Sequence, residues 1–119
     1  MPFKALLKQL VESVPGAQGA IIADWEGEAV DQVALMDDYE LKIIGAHKGI
    51  ILHNMREVVT RLGDDRLSEI IITTGQAQML VLPVTNDYFL VLTLDRSDSL
   101  GRALFEARRC TLALQKEIA

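Results

Sequence analysis

Three stretches in the second half of the chain are apolar without a break: Ile70-Ile71-Ile72, Met79-Leu80-Val81-Leu82 and Phe89-Leu90-Val91-Leu92. A strand with one wet face alternates polar and apolar residues, whereas a strand covered on both faces does not. Gly75 lies between the first two runs and Asn86-Asp87 between the last two. Such hairpin-length connections make neighbouring strands antiparallel. The chain must therefore build a mainly antiparallel sheet with helices on both faces.

The remaining sequence supplies those helices. Phe3, Leu6, Leu7, Leu10, Val11 and Val14 fall at helical spacing, and Pro15-Gly16 ends that pattern. Two strand-like runs between Gly19 and Ala34 flank Asp24-Trp25-Glu26-Gly27, a turn in which Gly27 can take positive φ. The first run is apolar on both faces. The second alternates more and suits an exposed position. Asp37 and Asp38 offer N-caps for a long helix from 39 to 62, which Gly63 ends. Strands are expected at 67–74, 78–85 and 88–94, with Pro83 marking a strand end or bulge because it cannot donate to the ladder. A last helix opens at Ser97 or Ser99 and runs to Ile118. The expected fold is α/β, of the α+β kind: αββαβββα, one domain over residues 1–119. Half of the 119 residues are apolar, enough for a core without disulfides or a metal.

The central helix carries the most information about function. At 100° per residue, Val58, Ile51, Ile44, Leu62, Met55, Leu41, Val59 and Leu52 fill one arc of about 120°, which predicts a sheet-facing core stripe. A second line holds Ile43, His47, Ile50, Asn54, Glu57 and Arg61. Its mixture of apolar and hydrogen-bonding side chains suits a helix–helix seam. Gly45 and Gly49 would let another backbone, or the chain's own sheet, approach closely. Lys42, Lys48, Arg56 and Arg61 make this helix basic, while Gln9 to Leu41 contains no Lys or Arg and eight acids. That asymmetry reads as solvated surface or as steering of a partner protein.

The αββαβββα order, GAIIADWEGEAVDQVA, the long central helix, PVTNDYFLVLTLD and Ser99-Leu100-Gly101-Arg102 together resemble the Roadblock/dynein light-chain family. The resemblance spans essentially the whole chain and is nearest the stand-alone prokaryotic members of mutual gliding protein B type. It implies the profilin-like, longin-like Roadblock fold. It also implies a homodimer whose third strands, Ile70-Ile71-Ile72 here, pair across a two-fold axis with the central helices side by side. The further implication is association with a Ras-like small GTPase, as regulator or scaffold. Within that frame Ile43, His47, Ile50, Asn54 and Arg61 join Ile70, Ile71 and Ile72 at the dimer interface. Arg56, Lys42 and Trp25 are the candidate partner contacts.

Several classes of chemistry have no signature. There is no G-x-x-x-x-G-K-[ST] loop and no G-x-G-x-x-G, so no nucleotide cofactor is expected. His47 and His53 diverge on the helix too far to share a metal. Cys110 follows Arg108-Arg109, which could lower its thiol pKa, yet mid-helix it reads as a packing residue. The net charge of −5 argues against nucleic acid, and no apolar run is long enough to span a membrane. One cysteine and no export signal suit a reducing cytoplasm. The expectation is a non-enzymatic GTPase regulator or scaffold. The alternative is a small-ligand sensor with a cavity between sheet and helix, made weaker by almost wholly aliphatic inward-looking strand residues.

Overall fold

The computed structural model describes residues 3–24, 28–63, 65–95 and 100–118. Its elements are α1 (Phe3–Ser13), β1 (Ala17–Asp24), β2 (Ala29–Ala34), α2 (Asp38–Arg61), β3 (Ile70–Thr73), β4 (Ala77–Pro83), β5 (Tyr88–Asp95) and α3 (Leu100–Ile118). The five strands form one sheet in the order β2-β1-β5-β4-β3, with every neighbouring pair antiparallel. The expected order of elements is therefore the observed one. β3 is shorter than expected, because residues 67–69 lead into the strand without joining its ladder. Pro83 ends β4, and β2, the alternating strand, lies at one edge. The Trp25–Gly27 turn, Asp64 and the Ser97–Ser99 helix opening lie outside the described residues.

The sheet separates two apolar layers. On one side α1 and α3 bury Leu7, Leu10, Ala107 and Leu114 against Ala20, Leu80, Leu90 and Leu92. On the other, α2 lies over Ile21, Ala23, Phe89 and Val91, with Val81 in the same cluster. Alternate residues of the apolar strands supply these two layers, which is why their sequence does not alternate. Asp37 caps α2, its carboxylate accepting from the Glu40 N–H at 3.1 Å. Gly63, at φ +117°, turns the chain out of the helix.

The core stripe expected on α2 is not the buried one. Only Leu41 and Leu52 of that arc are buried, alongside Gly45 and Gly49; Ile44 and Val59 are half-buried. Ile51, Met55, Val58 and Leu62 face outward, Leu62 with 77 % of its surface exposed. The helix is rotated by roughly 80° from the orientation its aliphatic residues predict, at 100° per residue. The glycines explain the turn. A Cβ on Gly45 would stand 3.1 Å from Ile21 Cδ1, and one on Gly49 only 2.7 Å from Phe89 Cζ. The helix seats its own backbone on the sheet there, so the glycines serve this chain's sheet.

Candidate functional surface

The outward face of α2 is the largest apolar feature that the described residues leave uncovered. Ile51, Met55, Val58 and Leu62 follow each other at intervals of four, three and four, the spacing of a helix–helix seam. Ile50, 62 % exposed, and Ile43 border this line on one side. His47, Asn54 and Arg61 are exposed on the same border. The residues expected to form the seam therefore lie together on the solvent face, but as the polar margin of an aliphatic line that the helical wheel places in the core.

β3 is the second uncovered feature. It pairs with β4 on one side only, through Ile70↔Val81, Ile71↔Leu80 and Ile72↔Met79. Ile70 is half-buried and packs, as Ile44 and Leu67 do, against the buried cluster on the α2 side. Ile72 shares that side, while Ile71 points to the α3 side and is exposed. An apolar edge strand with unpaired backbone groups is a template for another strand. The approach to β3 is fastened from α3: Arg108 Nε donates to Glu69 Oε2 at 3.0 Å and its Nη2 donates to Oε1. This hydrogen-bonded pair holds the Glu69 carboxyl below its ordinary value. A lowered folded-state pKa stabilises the fold above the unfolded value, and the contribution disappears as pH falls through the lowered one. Arg108→Ala should accordingly lower the urea midpoint at neutral pH, with the difference from wild type vanishing in strong acid.

The central-helix cations divide. Lys42 and Arg61 are exposed and Lys48 is half-buried. Arg56 is half-buried as well, its Nη2 reaching Asn86 Oδ1 at 3.5 Å beside an open cleft of about 560 Å³ lined by His53, Glu57, Thr60 and Arg61. Trp25 lies outside the described residues. At Gly49 the backbone of α2 closes onto Phe89, whereas on the other face of the sheet a pocket of about 190 Å³ lies between Phe3, Glu117 and Ile118 of the helices and Ile22, Val30 and Tyr88 of the strands. Among the described residues no group of three His, Cys, Asp or Glu side chains could hold a metal ion. No described helix is long and apolar enough to cross a membrane.

Cys110 shifts opposite to the direction its arginine neighbours suggest. Burial, with the Glu106 carboxylate nearby, pushes its thiol up to about 11, while Arg108 turns away to Glu69 and Arg109 sits 3.8 Å from Glu106. A thiol so protonated is a poor nucleophile. In the folded protein Cys110 should react with iodoacetamide at pH 8 at least tenfold more slowly than after unfolding in urea, by mass spectrometry.

These features define a class, a small α/β domain with a broad apolar helix face beside an open sheet edge. Residues 4–94 match the family model described as Roadblock/LC7 domain, and the chain belongs to the Roadblock/LC7 family. No curated protein matches the sequence significantly. Solved structures share the fold. The gliding protein MglB of Thermus thermophilus superposes with a TM-score of 0.86 at 19 % identity, over 98 % of this chain and 90 % of that one. Myxococcus xanthus MglB gives 0.88 at 14 % identity, over 99 % and 95 %. MglC from Myxococcus xanthus gives 0.72 at 24 % identity, over 98 % and 99 %.

Proposed function

We propose that the chain is a homodimeric, non-catalytic regulator or scaffold that binds a Ras-like small GTPase in the cytoplasm. The observation that carries this reading is the aliphatic line Ile51-Met55-Val58-Leu62, exposed on α2 of a chain whose β3 edge is also open. A second copy covers both at once. Edge-to-edge pairing of β3 makes a continuous ten-stranded sheet about a two-fold axis, and the two α2 helices then lie on the same face. The aliphatic line forms the centre of the helix contact. Ile43, His47, Ile50, Asn54 and Arg61 form its margin, and Ile70, Ile71 and Ile72 form the strand contact.

The paired α2 helices offer a platform for the GTPase, with Lys42, Arg56 and Trp25 as its contacts. The family and its MglB-like neighbours support this partner class, and two basic helices side by side would steer an acidic surface. With no P-loop in the sequence, the chain acts on its partner's nucleotide cycle or location without hydrolysing nucleotide itself.

The test is a binding screen against every Ras-like GTPase of the source organism, each loaded with GDP and with a non-hydrolysable GTP analogue. At least one should bind saturably. Its association rate should fall several-fold between low and high salt and again with Lys42→Glu. Failure of every GTPase to bind, or GTP hydrolysis by the isolated chain, overturns the reading.

A further inference from the structure

The sheet has two edges, and they are finished differently. β2 and β3 each pair on one side only. In an antiparallel ladder, successive residues turn their N–H and C=O alternately toward the partner strand and away from it. On β3 the Thr74 N–H donates to the Ala77 carbonyl at 2.9 Å, which fixes the alternation. Ile70 and Ile72 face β4, while Ile71 and Thr73 turn their backbone groups to the open side. Nothing in this strand covers those two amides.

On β2 the Leu35 N–H donates to the Gln18 carbonyl at 2.7 Å. With Val33 opposite Ala20 and Asp31 opposite Ile22, the same alternation turns Gln32 and Ala34 outward. The outward Gln32 N–H is already taken, because Asp31 Oδ1 accepts it at 2.9 Å. That oxygen also lies 3.9 Å from Lys4 Nζ of α1. On the other face of the sheet the Gln32 side chain is tied to α2. Its Nε2 donates to the Asp38 carbonyl at 3.1 Å and to Asp38 Oδ1 at 2.9 Å. Just before Asp31 the ladder is broken by a bulge: Ile22 pairs with Asp31 and Ala23 with Ala29, leaving Val30 as the extra residue.

We propose that Asp31 is a latch that shuts the β2 edge against a second copy of this chain, so that the sheet grows only through β3. An incoming strand would have to take the Gln32 N–H from a carboxylate, a charge-assisted bond, and desolvate that charge at the junction. The Lys4 contact is exposed and adds little, so the carboxylate itself is the block. Charged side chains and bulges protect strands that must not pair, and Ile70-Ile71-Ile72-Thr73 has neither. The asymmetry decides the assembly. One open edge closes on its own copy about a two-fold axis and stops there, whereas two open edges let a sheet extend without end. With β3 engaged in the dimer proposed above, the edge that a freed β2 meets is the β2 of another dimer.

Asp31→Val and Asp31→Ala remove the carboxylate, and either one suffices for the test once circular dichroism shows it folded. Asp31→Asn is the control, since its side-chain oxygen can still accept the Gln32 N–H. Sedimentation velocity across a concentration series should give the valine and alanine variants about twice the wild-type mass or more, with Asp31→Asn at the wild-type mass. In the heavier species the outward Ala34 amide should exchange about tenfold more slowly, or slower still, than in wild type. Wild-type mass without the carboxylate, assembly that leaves the Ala34 amide exchanging as before, or equal assembly by Asp31→Asn overturns the proposal. A monomer mass for the wild type would instead overturn the dimer. The comparison would still stand, because the freed edge would then double a monomer.

Discussion

Val58→Asp should convert the dimer into a folded monomer, raising the dimer dissociation constant by about 100-fold or more. Val58 sits mid-way along the exposed aliphatic line and is 49 % exposed in the single chain, so a charge there is harmless until a second copy covers it. In a two-fold interface each substitution acts twice, and unpaired buried carboxylates are among the costliest changes known. Circular dichroism should be unchanged. Ile50→Asp, at the margin, should weaken association less. Sedimentation velocity across a concentration series separates the two. Equal effects from Val58 and Ile50 would move the centre of the contact back to the line with His47 and Asn54.

The second large effect is expected within the fold. Gly49→Ala should destabilise the protein by about 1–3 kcal/mol although alanine is the better helix former by about 1 kcal/mol. The added methyl meets the Phe89 ring at 2.7 Å, and Phe89 is wholly buried, with no space to retreat. Gly45→Ala meets the end of the Ile21 side chain at 3.1 Å and should cost clearly less, because a terminal methyl can swing aside. Thermal melts of the two variants give the comparison. A Gly49→Ala protein as stable as wild type would mean that α2 rides higher on the sheet.

The same glycines mark where sequence reasoning reaches its limit. The element order follows from local signals: unbroken strand runs, Asp37 as a cap, Gly63 as a stop, Pro83 at a strand end. The orientation of α2 does not, because a helical wheel weights large apolar residues, and this helix meets its sheet through Gly45 and Gly49. Ile51, Met55, Val58 and Leu62 carry the hydrophobic signal of a core and the geometry of an interface. A single chain's pattern cannot separate those uses, since burial against a sheet and burial against another copy select the same side chains. Arg56 lies outside the expected core arc, yet in the fold it is half-buried and reaches Asn86.

The central claim is that a second copy completes this domain through β3 and α2 together. Residue-resolved amide hydrogen exchange tests it most directly. The β3 amides, Ile70 to Thr73, that β4 leaves unpaired should be protected in concentrated wild-type protein. They should lose protection on dilution and in Val58→Asp, while the β4 and β5 amides keep theirs. Unpaired β3 amides that exchange at one fast rate at every concentration would contradict the account, whatever mass the protein shows in solution.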